Sequence, residues 1–137
     1  MKRLWFIFII IFFSLTCTNS DFECDQHYIS DCNSDDKKIN IRIMNNSNYD
    51  FCNVVIRTNE EGVNHGEIKS NENSCYHTYD IAYRYAYVSL VIDGEDLVLQ
   101  PIDYVGETPL GVGYFTYHLD VEVVNNKKQL SIYTSSN

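Results

Sequence analysis

Residues 114–124 read Tyr-Phe-Thr-Tyr-His-Leu-Asp-Val-Glu-Val-Val, a run of strict two-residue alternation. Phe115, Tyr117, Leu119, Val121 and Val123 fall on one side, and Thr116, His118, Asp120 and Glu122 on the other. A period of two belongs to a pleated strand with one wet face, because successive side chains point to opposite sides of the sheet. Residues 125–128, Asn-Asn-Lys-Lys, turn the chain, and Leu130, Ile132 and Tyr133 close it as a last strand.

The same texture runs upstream. Ile39, Ile41 and Ile43 alternate with Asn40, Arg42 and Met44, and residues 45–48 form an Asn/Ser turn cluster. Cys52, Val54 and Ile56 alternate with Asn53, Val55 and Arg57, and residues 59–66 read as a second turn region. Residues 74–79 are a short strand candidate. Residues 83–92, Tyr-Arg-Tyr-Ala-Tyr-Val-Ser-Leu-Val-Ile, form the longest β-type run. Asp93-Gly94 is a hairpin signal, since glycine accepts positive φ. Residues 97–99 return, and Pro101 ends that strand or places it on an edge. Beyond the first 17 residues no window carries an i, i+3, i+4 helical pattern. Strand signals about every ten residues predict an all-β sandwich of about seven strands over residues 38–137. At 137 residues the chain is expected to hold one domain.

The first 17 residues read as an address. Lys2 and Arg3 precede an unbroken apolar run over residues 4–13, and Ser14, Leu15, Thr16 and Cys17 close it. The run is too short for a bilayer span of about 20 residues and matches a secretory signal. Leu15-Thr16-Cys17 resembles a loosened bacterial lipobox, although Ser14 stands where leucine is usual. Lipidation of Cys17 is the favoured exit, and cleavage after Ser20 is the alternative. Without Lys2 and Arg3, eight basic residues face 19 acidic ones, a net charge of −11. That charge excludes a nucleic-acid binder and leaves membrane attachment to the N-terminal lipid.

Loss of Cys17 to lipid or cleavage leaves Cys24, Cys32, Cys52 and Cys75, an even set in an exported chain and hence a disulfide framework. The simplest expected pairing is Cys24–Cys32 and Cys52–Cys75, the second closing a loop worth about 3 kcal/mol. Residues 18–37, rich in Asp, Asn and Ser, read as an acidic tether or arm. Neither metal nor cofactor is expected: Cys75-Tyr76-His77 has no second matching pair, and residues 93–96 are too short for a calcium loop.

Two stretches carry a resemblance. One is Tyr76-x-x-Tyr79-x-x-Ala82-Tyr83-Arg84-Tyr85-Ala86-Tyr87-Val88. The other is Pro101-Ile102-Asp103-Tyr104-Val105-Gly106-Glu107-x-Pro109-Leu110, followed by Gly113-Tyr114-Phe115-Thr116-Tyr117. Together they resemble uncharacterised exported proteins and lipoproteins of the Bacteroidetes group. The resemblance implies an Ig-like or transthyretin-like sandwich, and a location in the envelope, without implying a reaction.

No nucleophile motif or phosphate loop is present, and His27, His65, His77 and His118 are scattered. Recognition is therefore the leading expectation. Tyr83, Tyr85 and Tyr87 are expected on one face of the longest strand, and tyrosine combines apolar area with a polar tip. Residues 102–113, without alternation, form the candidate functional loop, in which Asp103, Tyr104 and Glu107 stand out. The expected function is a non-enzymatic, lipid-anchored module that binds an envelope protein or a glycan. A structural or assembly subunit of an envelope complex is the alternative, and a small hydrolase ranks third.

Overall fold

The computed structural model describes Cys24, residues 31–59 and residues 61–137. The expected signal segment, Cys17 and much of the acidic stretch lie outside the described residues. Eight strands follow in order: β1 (Ile39–Asn45), β2 (Cys52–Arg57), β3 (Gly62–Asn64), β4 (His77–Tyr79), β5 (Tyr87–Ile92), β6 (Glu95–Leu99), β7 (Gly113–Val124) and β8 (Lys127–Ser136). They build two four-stranded sheets, β4-β1-β7-β8 and β3-β2-β5-β6. Every pairing is antiparallel except β1 with β7, which is parallel.

The alternation predicted for residues 114–124 holds where it matters for packing. Tyr117 and Leu119 point into a core shared by both sheets, with Ile41 and Ile43 from β1, Val54 and Ile56 from β2, and Val88, Leu90 and Ile92 from β5. Two hairpins use the expected turn chemistry. Asp93 and Gly94 sit at φ 51° and 78°, and Asn125 and Asn126 at 51° and 60°. Both turns therefore occupy the left-handed region at two successive residues, which matches the twist of the flanking strands. Asn45 fixes the first turn from inside: its amide donates to Tyr49 O (2.7 Å) and Ile68 O (3.1 Å), and its Oδ1 accepts from the Ser47 N–H (2.9 Å).

Three expectations change. Residues 62–64 pair with β2 as an eighth strand inside what reads as a turn region, because Val63 packs against the core. Tyr83 and Tyr85 do not lie on a strand with Tyr87, and the longest strand is β7. The segment 83–86 is held instead by side chains: the Tyr117 hydroxyl donates to Tyr83 O (2.5 Å), and the Thr134 hydroxyl donates to Arg84 O. Finally, the disulfides are Cys24–Cys52 and Cys32–Cys75, with Cα separations of 5.5 and 5.6 Å, in place of Cys24–Cys32 and Cys52–Cys75.

The pairing has a topological cause. Cys52 opens β2 in one sheet, while Cys75 lies two residues before β4 in the other. Residues 31–36 lie against that flank, and Cys24 and Cys32 tie the acidic segment to Cys52 and Cys75. The Asn33 N–H donates to Tyr76 O (3.1 Å), the Thr78 N–H donates to Asn33 Oδ1 (2.9 Å), and the Tyr114 hydroxyl donates to Asp36 Oδ1 (2.6 Å). Residues 31–36 thus pack along the β4 edge, where a loose arm would leave that edge's donors and acceptors open. Two disulfides mark a chain that folds in an oxidising compartment outside the cytosol. Among the described residues, no helix is long and apolar enough to cross a membrane.

Candidate functional site

Tyrosine-rich segment 83–87 and loop 100–112 meet at one end of the sandwich. Tyr104 stacks on Tyr83 (centroids 4.6 Å, planes 21° apart) and on Tyr85 (5.4 Å, 13°). The Tyr85 hydroxyl donates to Asp103 O (3.1 Å), and the Asp103 carboxylate accepts from the Val105 N–H (3.1 Å), closing a turn at the loop tip. Partial burial, followed by the nearby carboxylates of Glu107 and Asp103, raises the Tyr85 pKa. Burial raises that of Tyr104. Deeper down, the Leu110 N–H donates to Ala82 O (2.8 Å), so the two segments are stitched by backbone as well as by rings. Of the six expected surface residues, Tyr83, Tyr85, Asp103, Tyr104 and Glu107 converge here.

Tyr87 takes a different partner. It opens β5 directly opposite Arg57, the last residue of β2, and the guanidinium carbon stands 4.7 Å from its ring centroid. Arg57, Thr58, Asn59, Tyr87, Gln100 and Tyr104 line an open cavity of about 350 Å³. Nothing in the sequence assigns Arg57, Asn59 or Gln100 to a site. The available signal was Arg57 as the last polar position of an alternating strand. Its partner, 30 residues away, depends on a register that alternation does not provide.

The loop also exposes apolar side chains, with Ile102 fully accessible, Val105 89% exposed and Val112 65% exposed. Gly106, at φ 81°, lets the chain reverse between Val105 and Glu107 with open space around it.

Other tyrosines and histidines among the described residues are held within the scaffold. Tyr117 is fully buried, and that burial raises its pKa. The ring of His118 lies parallel to that of Tyr133 (4.3 Å), and its Nε2 is 2.9 Å from Ser135 Oγ. His65 is buried between the sheets, with Nε2 2.8 Å from the Tyr79 hydroxyl and Nδ1 3.1 Å from Ser74 Oγ. Ser74 Oγ already donates to Cys75 O (2.9 Å), so Nδ1–H is the donor to Ser74 and Nε2 accepts from Tyr79. That assignment needs a neutral ring. Burial, followed by the neighbouring His77, pushes its pKa down to about 3. Among the described residues, no group of three or more His, Cys, Asp or Glu side chains is placed to hold a metal ion.

These features define a disulfide-stapled β-sandwich with an aromatic, cavity-bearing loop end. No protein-family model matches the chain, and no curated protein matches it. A solved NMR structure of a protein from Eubacterium rectale is similar, with a TM-score of 0.52 and 14% identity. The likeness covers 70% of this chain and 88% of that one. At this identity it bears on the fold alone.

Proposed function

We propose that the protein is an exported, non-enzymatic recognition module of the cell envelope, anchored through a lipid on Cys17, whose loop end binds a protein or a glycan. The observation that carries this reading is the stack of Tyr83, Tyr85 and Tyr104 beside the open cavity. Tyrosines give large contact area for little conformational entropy, and a stack already formed before binding adds no ordering cost. The hydrolase reading finds less support. His65 is buried in the flank of the sandwich, with Ser74 Oγ already donating to Cys75 O, and His118 is committed to Tyr133 and Ser135.

The alternative, an assembly role, draws on the β6 and β8 edges. They leave a cleft of about 570 Å³ between the sheets, lined by residues 95–99 and 127–130. Unpaired strand edges of this kind accept an added strand.

Glycan-array and partner-binding measurements on the oxidised protein test the primary reading. A saturable ligand is expected, with at least tenfold weaker binding by Tyr104→Ala at an unchanged thermal midpoint. Equal binding by the variant would move the site elsewhere. Labelling with a palmitate analogue is expected to mark the wild type and not Cys17→Ser; equal labelling would remove the anchor.

A further inference from the structure

The cavity at the loop end differs in charge from the rest of the molecule. The chain carries a net charge of −9. Yet among the described residues the cavity wall contains one charged side chain, Arg57, and no carboxylate. Arg57 makes no salt bridge among the described residues. Its guanidinium carbon lies 4.7 Å from the Tyr87 ring centroid, and among the described residues its N–H donors have no hydrogen-bond partner, which leaves them for a ligand. The rest of the wall is hydroxyl and carboxamide: Thr58, Asn59, Gln100, Tyr87 and Tyr104.

We propose that this cavity binds a carboxylate-bearing sugar, a uronic acid unit of an acidic glycan, with the carboxylate on Arg57. The inference rests on the recognition reading above and specifies its ligand class. A planar guanidinium pairs with a carboxylate through two parallel N–H···O bonds, a geometry that an ammonium does not offer. Carboxamides and hydroxyls around it match the ring hydroxyls of a sugar, each of which donates and accepts. At about 350 Å³ the cavity falls at the small-molecule end of ligand sites, roughly 300–1,000 Å³. A protein partner would need roughly 800 Å² of its own surface covered, far beyond this wall. The cavity is open, so a glycan chain can continue past the bound unit.

The test uses the oxidised protein and a panel of oligosaccharides of galacturonate, glucuronate and mannuronate, each paired with its methyl ester. Esterification keeps the ring and removes the charge. Calorimetric titration is expected to show at least one acid bound ten or more times tighter than its ester. Arg57→Gln is expected to erase that preference, and Arg57→Lys to retain a minor part of it. Binding of an acid and its ester with equal affinity, or a preference that survives Arg57→Gln, overturns the carboxylate assignment and leaves glycan recognition standing. Absence of binding to every member, with a protein ligand bound through Tyr104 instead, overturns the sugar assignment while the recognition module stands. Absence of any ligand at this end overturns both.

Discussion

The flank that carries residues 31–36 and the tyrosine loop end are built from similar side chains to opposite effect. On the flank, aromatic and polar groups are used up internally: His65, His77, Tyr79 and Ser74 bond or pack with one another, and the segment is fixed to each sheet by a disulfide. At the loop end the rings stack on each other yet border an open cavity, and Ile102 and Val105 face solvent. The cross-links are concentrated on the flank, and the exposed apolar side chains are concentrated at the loop end. That division is what the proposed recognition role requires, a rigid scaffold that carries an exposed loop.

The flank is where perturbation is expected to cost most. Its disulfides close loops with sequence separations of 28 and 43. The chain-entropy relation gives about 3.5–4 kcal/mol for each. Replacing Cys32 and Cys75 together by serine is expected to lower unfolding free energy in urea by about that amount. A loss under ~1 kcal/mol would mean that the segment is not tied to β4 in solution.

Acid comes next. A neutral buried His65 has a folded pKa of about 3, below its unfolded value near 6.5. The unfolded chain therefore binds a proton that the folded one refuses. The stability associated with the neutral ring is complete above pH 6.5 and is lost as pH falls toward 3, at about 1.4 kcal/mol per pH unit. Burial lowers the His77 pKa as well, which adds in the same direction. Urea midpoints between pH 6.5 and 5 are expected to show this slope in the wild type and a flatter one in His65→Gln. Equal slopes would place the acid sensitivity outside the flank.

The smallest effect concerns the seam between the two regions. Tyr117→Phe removes the donor to Tyr83 O while keeping the ring, and is expected to cost about 1 kcal/mol. Greater protease sensitivity around residues 83–87 is expected with it; an unchanged midpoint and cleavage pattern would show that the stack and the bonds from Thr134 and Leu110 hold the segment without it.

The sequence carried the strands further than the site. Alternation around Tyr117 and Leu119 and the turn residues Asp93-Gly94 and Asn125-Asn126 are local signals, and local signals survive folding intact. The all-β sandwich was legible for that reason. Cysteine pairing was not, because it depends on which sheet Cys52 and Cys75 each join, a property of topology. Tyr83 and Tyr85 mimic a strand by composition, yet buried Ala82 and Ala86 and the donors from Tyr117 and Thr134 bend the segment. Asp103, Tyr104 and Glu107 were legible as loop residues between strands. Arg57, Asn59 and Gln100 were hidden, since each sits at a strand end whose neighbours are set by register.

The most direct test of the division between scaffold and recognition end is an amide NMR titration of the oxidised, isotope-labelled protein with the ligand selected from the oligosaccharide panel. Saturable shift changes are predicted at Arg57, Asn59, Tyr87, Gln100 and Tyr104, with the amides of Asn33, Cys75, His77 and Tyr79 unmoved. Shifts centred on the flank, or on β6 and β8, would contradict the account.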